Sequence, residues 1–162
     1  MTKDIHQWIS SYGESHQNST NKAIHWVCVP LIMLSLLALI SMIPFPTHNI
    51  TLFSINGQEI LLNWTIIFLL FAVIFYLRLS ISIAVGMILI AIGMIASINW
   101  IKFFDPTIWR LSLFIFIVAW IGQFIGHKIE GKKPSFFEDL QFLLIGPAWL
   151  LSFVYKKIGI KL

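Results

Sequence analysis

Charge is what this chain has least of. Only 11% of its 162 residues are Asp, Glu, Lys or Arg, against about 25% in a typical soluble domain. So few charges cannot clothe a globule of this size in a hydrated surface, which excludes an ordinary soluble enzyme. Cysteine is nearly absent as well. Cys28 stands alone, so no disulfide can form within the chain, and a structural zinc site built on thiolates is excluded. Its neighbours Val27 and Val29 point to a buried, inert thiol. The net charge is +4, but the basic residues form no tract and the stacked-aromatic RNA motifs are missing, so no nucleic-acid partner is expected. Nor does the N-terminus read as a secretory signal: residues 1–20 are polar, and no A-x-A site follows the first apolar run.

What the chain does have is apolar length: 58% hydrophobic residues and a mean hydropathy of +0.86. A bilayer-crossing helix takes about 20 mostly apolar residues, and four stretches qualify. These are "WVCVPLIMLSLLALISMIPF" (26–45), "ILLNWTIIFLLFAVIFYL" (60–77), "ISIAVGMILIAIGMIASINW" (81–100) and "IWRLSLFIFIVAWIGQFIGH" (108–127). Only "RLS" parts the second from the third, which predicts a tight antiparallel hairpin. A fifth run, 136–155, is weaker. Ser135 and Glu138 form a capping box that starts a helix, and Gly146-Pro147 then interrupts it. A re-entrant or interfacial helix is expected there. Ahead of the spans, Ile5, Trp8, Ile9 and Tyr12 share one face of an amphipathic helix over 4–15, with its aromatics at headgroup level. The expected fold is therefore all-α: a polytopic bundle of about four transmembrane helices, an N-terminal amphipathic helix and a C-terminal re-entrant or interfacial one, in a single integral membrane domain over 1–162.

Lysine and arginine set the orientation. The loop 46–59 has neither, whereas Lys3, Lys22, Arg78, Lys128, Lys132 and Lys133 all fall on one side if the chain crosses four times. That side is expected to be the cytoplasm, with Lys102 and Arg110 as a minor violation on the other. A crossing by the fifth run would strand Lys156, Lys157 and Lys161 outside, which argues against it. The same topology puts His16, His25 and His127 on the cytoplasmic side at similar depth, and removes His48 to the opposite one.

Two polar clusters interrupt the apolar pattern there. In "HQNSTNKAIHW" (16–26), His16 and His25 are nine residues apart, half a turn out of phase on one continuous helix. They converge only if the helix breaks between them, and "QNST" supplies the break, with Ser19 or Thr20 capping the first membrane helix. Asn21 and His25 then share a face at i, i+4. In "GQFIGHKIEG" (122–131), Gln123, His127 and Glu130 form one polar stripe. Gly122 and Gly126 form a small-xxx-small pair that lets another helix approach, and Gly131 and Pro134 mark the helix end.

Taken singly, these residues have ordinary explanations: interfacial histidines, a solvated carboxylate, a capping asparagine. Gln123 resists that account, because a buried amide without partners costs free energy. Three histidines and a glutamate from separate segments on one side also make a metal site, and spacing alone leaves both readings open. Imidazole with carboxylate suits Fe(II), Zn or Mn, and a site with few protein ligands leaves positions open for O₂ and a chelating substrate. A non-catalytic membrane lipid-binding or assembly protein, a bis-His haem protein using His25 and His127, and a zinc hydrolase are the alternatives. A transporter is disfavoured, since the spans show no repeated broken helices.

The two clusters resemble those of a known family. "HQNSTNKAIHWVCVPLI" fits its pattern H-x4-N-x3-H with a proline shortly after. "WIGQFIGHKIEGKKPSFFEDLQFLLIGPAWL" fits its second signature, Gln-Phe-x-Gly-His with Glu three on, a Pro and then Gly-Pro. The family is the membrane-bound, Fe(II)-dependent 2-hydroxy fatty acid dioxygenases, and the resemblance covers nearly the whole chain, departing in the basic pair Lys132-Lys133. It implies fatty acid α-oxidation, in which a 2-hydroxy fatty acid and O₂ give CO₂ and a fatty acid one carbon shorter. His16, Asn21 and His25 carry over from the first signature, and Gln123, His127 and Glu130 from the second. His16, His25 and His127 are then expected to bind Fe(II), with Glu130 as fourth ligand or as the hydrogen-bond partner of a histidine. Lys128 and Lys132 are expected to draw the substrate carboxylate to the mouth, and the acyl tail to lie between apolar helices.

Overall fold

A computed structural model of the chain describes residues 4–46, 50–55, 58–131 and 142–162. Among these residues the fold is helical: α1 (Ile5–Glu14), α2 (Ser19–Ile40), α3 (Trp64–Leu79), α4 (Ile81–Phe104), α5 (Trp109–Glu130) and α6 (Ile145–Ile158). Helices α2, α4 and α5 are long and apolar enough to cross a membrane. Helix α3 is apolar but has only 16 residues, a rise of about 24 Å against a hydrocarbon core of about 30 Å. It is short because its expected beginning goes elsewhere. Ile60 and Leu61 belong to a two-stranded antiparallel hairpin, β1 (Thr51–Ile55) with β2 (Gln58–Leu61), paired Ile55 to Gln58 and Thr51 to Leu61. Asn63 then caps α3, its side chain accepting from Ile66 N.

Each junction has a local cause. Ser80 alone separates α3 from α4; its backbone N–H donates to Tyr76 O and its hydroxyl accepts from Ile83 N. One residue thus ends one helix and starts the next, as the tight hairpin required. Helix α5 stops at Gly131, whose left-handed φ of 74° costs a glycine nothing. Helix α2 is capped neither by Ser19 nor by Thr20 but by Asn18, whose side-chain oxygen accepts from Thr20 N and Asn21 N. The asparagine one step earlier reaches two of the free amides in the first turn.

The outward faces of α4 and α5 carry large exposed apolar side chains, including Leu89, Ile92, Phe114 and Ile121, the surface expected of helices solvated by lipid. Between α2 and α5 the approach is close because α5 lacks side chains there. A Cβ on Gly122 would stand 2.6 Å from Cys28 Sγ, and one on Gly126 would collide with Asn21 Oδ1. The small-xxx-small pair thus sets the α2–α5 distance. At the far end, Lys102 Nζ donates to Ser41 Oγ at 2.8 Å, closing α4 onto the end of α2, which gives this off-pattern lysine a structural use.

The end that holds the histidines is closed by α1 and α6. Helix α1 starts with a capping box between Asp4 and Gln7. Its apolar face packs on protein: Ile5 and Tyr12 are buried, and Tyr12 packs on Trp149 of α6. Gly146-Pro147 lies in the first turn of α6, where a proline gives up an N–H that has no helical acceptor. The Ser135–Glu138 capping box lies outside the described residues. With 14 residues, α6 rises about 21 Å, less than the hydrocarbon core of about 30 Å. It runs from the histidine cluster to the α3–α4 turn, where Tyr155 Oη donates to Ser82 O at 2.7 Å over Gly86, which leaves room for the ring. Tyr76 Oη donates to Leu144 O at 2.6 Å from beneath.

Candidate metal centre

The link Ser15–Asn18 turns the chain back between α1 and α2, and this break brings His16 into register with His25. His16 N donates to Gly13 O at 3.0 Å. Its ring stacks on Tyr12 (centroids 4.2 Å, 11° between planes) and packs beside Trp149 at 5.2 Å. His25 lies on α2 one turn beyond Asn21, and both are fully buried. His127 enters from the last turn of α5. The three rings make a compact cluster: His16 and His25 have centroids 4.3 Å apart, and each lies 5.2 Å from His127. One ring nitrogen from each lies within 4.8 Å of the others, and all three residues are buried.

Their hydrogen bonds fix which nitrogens face inward. His16 Nδ1 donates to Tyr12 O at 2.6 Å, and His25 Nδ1 donates to Asn21 O at 3.0 Å. A carbonyl oxygen only accepts, so both Nδ1 atoms carry the proton, and each neutral ring presents a lone pair at Nε2. Those two Nε2 atoms face one another at 2.9 Å. Two lone pairs at that distance repel unless a proton or a metal ion lies between them. Two nitrogens that share one ion at about 2.0–2.1 Å lie within about 4 Å of each other, as these do. The donor set therefore fits a metal ion, held by imidazoles whose outer nitrogens are anchored to backbone.

Glu130 lies beside this triad rather than in it. Its carboxylate accepts from Gln17 N at 2.7 Å, from Asn18 N at 2.9 Å and from Asn21 Nδ2 at 3.0 Å. It thus ties the end of α5 to the His16 link and to the first turn of α2. Asn21 also reaches Ser15 O, while its Oδ1 is buried against Gly126. Gln123, one turn deeper than His127, is buried and lines a cavity of about 30 Å³ together with Tyr12, Val29 and Met33. Lys128 is exposed beside His127; Lys132 and His48 lie outside the described residues.

Two contributors escaped the sequence reading. Tyr12 both stacks on His16 and accepts its Nδ1 proton bond, and its i, i−4 spacing from His16 was a visible signal. Trp149 packs on His16 from α6; it stands two residues after the Gly146-Pro147 of the second signature, which marked the segment but not the contact.

Comparison with known proteins adds an independent line. A family model described as 2-hydroxy-palmitic acid dioxygenase Mpo1-like matches residues 2–158. The chain is 25% identical over 159 residues to the 2-hydroxy-palmitic acid dioxygenase MPO1 of Saccharomyces cerevisiae, covering 96% of this chain and 82% of the yeast protein. No solved structure matches the chain.

Proposed function

The chain belongs to the Mpo1-like family, and we propose on that basis that it is a membrane-embedded, Fe(II)-dependent dioxygenase acting on 2-hydroxy fatty acids. The reaction balances without an external reductant: R–CH(OH)–COOH and O₂ give R–COOH, CO₂ and H₂O. The observation that carries the reading is the inward pair of Nε2 lone pairs, 2.9 Å apart, with His127 completing a buried triad.

Fe(II) bound by His16, His25 and His127 supplies O₂ activation and a Lewis acid for the carboxylate and 2-hydroxyl of the substrate. The protein's part is to hold and shield. Tyr12 O and Asn21 O keep the rings of His16 and His25 in the tautomer that presents Nε2. Glu130 acts as a positioning residue through Asn21 and the link amides, and not as a fourth ligand, because its oxygens are already engaged by three donors. Tyr12 and Trp149 cover His16 and exclude water from that side. Lys128, exposed at the mouth, draws the carboxylate inward. A bis-His haem is disfavoured by the same geometry, since His16 occupies the space that a macrocycle between His25 and His127 would need.

The histidine end faces the cytoplasm in this proposal. Lys22, Arg78 and Lys128 sit at that end, and α6, tied back to Ser82 by Tyr155, brings Lys156 and Lys157 to the same side. The membrane frame suits a substrate whose tail is lipid and whose head must reach a polar centre.

The test is oxygen uptake by anaerobically purified, iron-loaded protein given a 2-hydroxy fatty acid, with mass analysis of the products. Equal amounts of CO₂ and of the acid one carbon shorter are expected. Turnover without O₂ consumption, or with zinc in place of iron, would assign the triad to hydrolytic chemistry instead.

A further inference from the structure

Two small cavities lie end to end inside the bundle. The first, about 30 Å³, begins one turn below the triad, where Val29 follows His25 on α2 and Gln123 precedes His127 on α5; Tyr12, the ring stacked on His16, forms part of its wall. The second, about 20 Å³, lies between α2, α3 and α4 and is bounded by Leu37, Ala72, Met87 and Met94. Met33 lines both. It is therefore the partition between a space one turn below the histidines, walled in part by Tyr12 and Gln123, and a space deep in the apolar core.

The lining is graded along this line. Gln123 puts one amide at the end near the triad; beyond Met33 the walls are apolar, apart from the Tyr76 hydroxyl, which donates to Leu144 O. Met33, Met87 and Met94 recur along it. Methionine is unbranched and flexible, the residue type whose side chain most readily gives way to a guest. The length also fits. From His25 to Leu37 α2 rises about 18 Å, close to the roughly 15 Å of one leaflet, half of a hydrocarbon core of about 30 Å.

We infer that the acyl tail of the substrate is held inside the bundle along α2, from the triad past Val29 and Met33 into the space between α2, α3 and α4, with Met33 as the side chain that moves aside to admit it. The inference rests on the reading of the substrate as a 2-hydroxy fatty acid, and it assigns chain-length selection to Met33 and Leu37. A tail lying on the lipid-facing surface instead would be blind to both residues, since each is buried.

Two measurements on the full-length protein in lipid nanodiscs decide it. The first is the ratio of kcat/KM for long-tailed to short-tailed 2-hydroxy acids. Met33→Trp closes the partition and should lower this ratio about tenfold or more, the scale on which pockets reject methylenes they cannot take; Met33→Ala should not lower it. An unchanged ratio in correctly folded, iron-loaded Met33→Trp overturns the interior track. The second needs no turnover and stays informative if that variant does not fold. Wild-type protein is irradiated without oxygen in the presence of a 2-hydroxy fatty acid bearing a mid-chain diazirine. Label on Met33, Leu37, Ala72 or Met87 supports the track, and label confined to lipid-facing residues such as Leu89 and Phe114 overturns it. Failure of wild-type protein to turn over any 2-hydroxy acid would sink the activity reading, while the labelling map still settles where an acyl tail binds.

Discussion

Asn21 and Glu130 join the two ends of the chain: the buried amide of Asn21 donates from Nδ2 to Glu130 Oε2 at 3.0 Å, across a sequence separation of 109 residues. The same carboxylate accepts the backbone amides of Gln17 and Asn18. His16 and His25 flank this junction, which is the ground for the proposal that Glu130 governs their placement without being a ligand. Glu130→Ala should weaken iron retention by ~10–100-fold, the usual effect of losing a group that orients ligands. Glu130→Gln should lose less, because its amide oxygen still accepts from a link N–H. Chelator competition on anaerobic protein measures both. X-ray absorption of loaded Glu130→Gln should match wild type; a missing oxygen neighbour there would make Glu130 a ligand.

The triad should behave as a unit. Alanine at His16, His25 or His127 should each remove stoichiometric iron and turnover, and the triple variant should cost little more than any single one. Exposed His6 supplies the control, and its alanine variant should keep both properties. Metal content and oxygen uptake on the same preparations check this, and iron at wild-type level in any one triad variant would remove that residue from the ligand set.

Glycine at 126 is required by crowding. A Cβ there collides with Asn21 Oδ1 and stands 3.5 Å from His25 Cε1, so Gly126→Ala should push α2 away from α5. Overpacking of this kind costs about 1–3 kcal/mol, and here it also separates His25 from His127. Gly93→Ala is the matched comparison, since nothing lies within 4 Å of its Cβ; it should leave stability unchanged or slightly raised. Thermal unfolding and iron content, measured side by side, should fall for position 126 only.

Tyr12 should matter through its ring more than through its hydroxyl. Tyr12→Phe keeps the stack on His16 and the backbone carbonyl that holds Nδ1, and should keep most activity. Tyr12→Ala empties a buried site against Trp149 and Phe142, a change worth about 3–5 kcal/mol in a packed core. Proteolysis between α1 and α2 should accelerate in Tyr12→Ala and stay slow in Tyr12→Phe.

What could be read in the sequence, and what could not, follows from the range of the interactions. The apolar spans, the Ser80 hairpin and the glycine pair are local patterns, and the structure places them as the patterns imply. The need for a break between His16 and His25 came from helix phase alone, and the chain breaks there. The hairpin over 51–61 was hidden by its own hydrophobicity: Ile60 and Leu61 were absorbed into a span, although Asn56-Gly57 beside them is a strong turn signal. The choice of Asn18 over Ser19 as cap was one residue beyond what composition resolves. Trp149 over His16 and the α6 lid were out of reach, because only tertiary packing unites residues so far apart in sequence. Met33 as a partition was invisible for the same reason: in the sequence it is one more apolar residue in a span.

The lid formed by α1 and α6 has a consequence for biogenesis. The first two histidines leave the ribosome early, whereas His127 follows only in α5 and the indole that shelters His16 in α6, so a nascent chain possesses no complete triad until α5 has emerged. On the proposed function, iron can then be retained only once α5 has joined α2, and its capture staples the His16 link to the end of α5. A chain arrested after α4 should insert into the bilayer yet leave the ion behind, which makes cofactor loading a report on synthesis through α5.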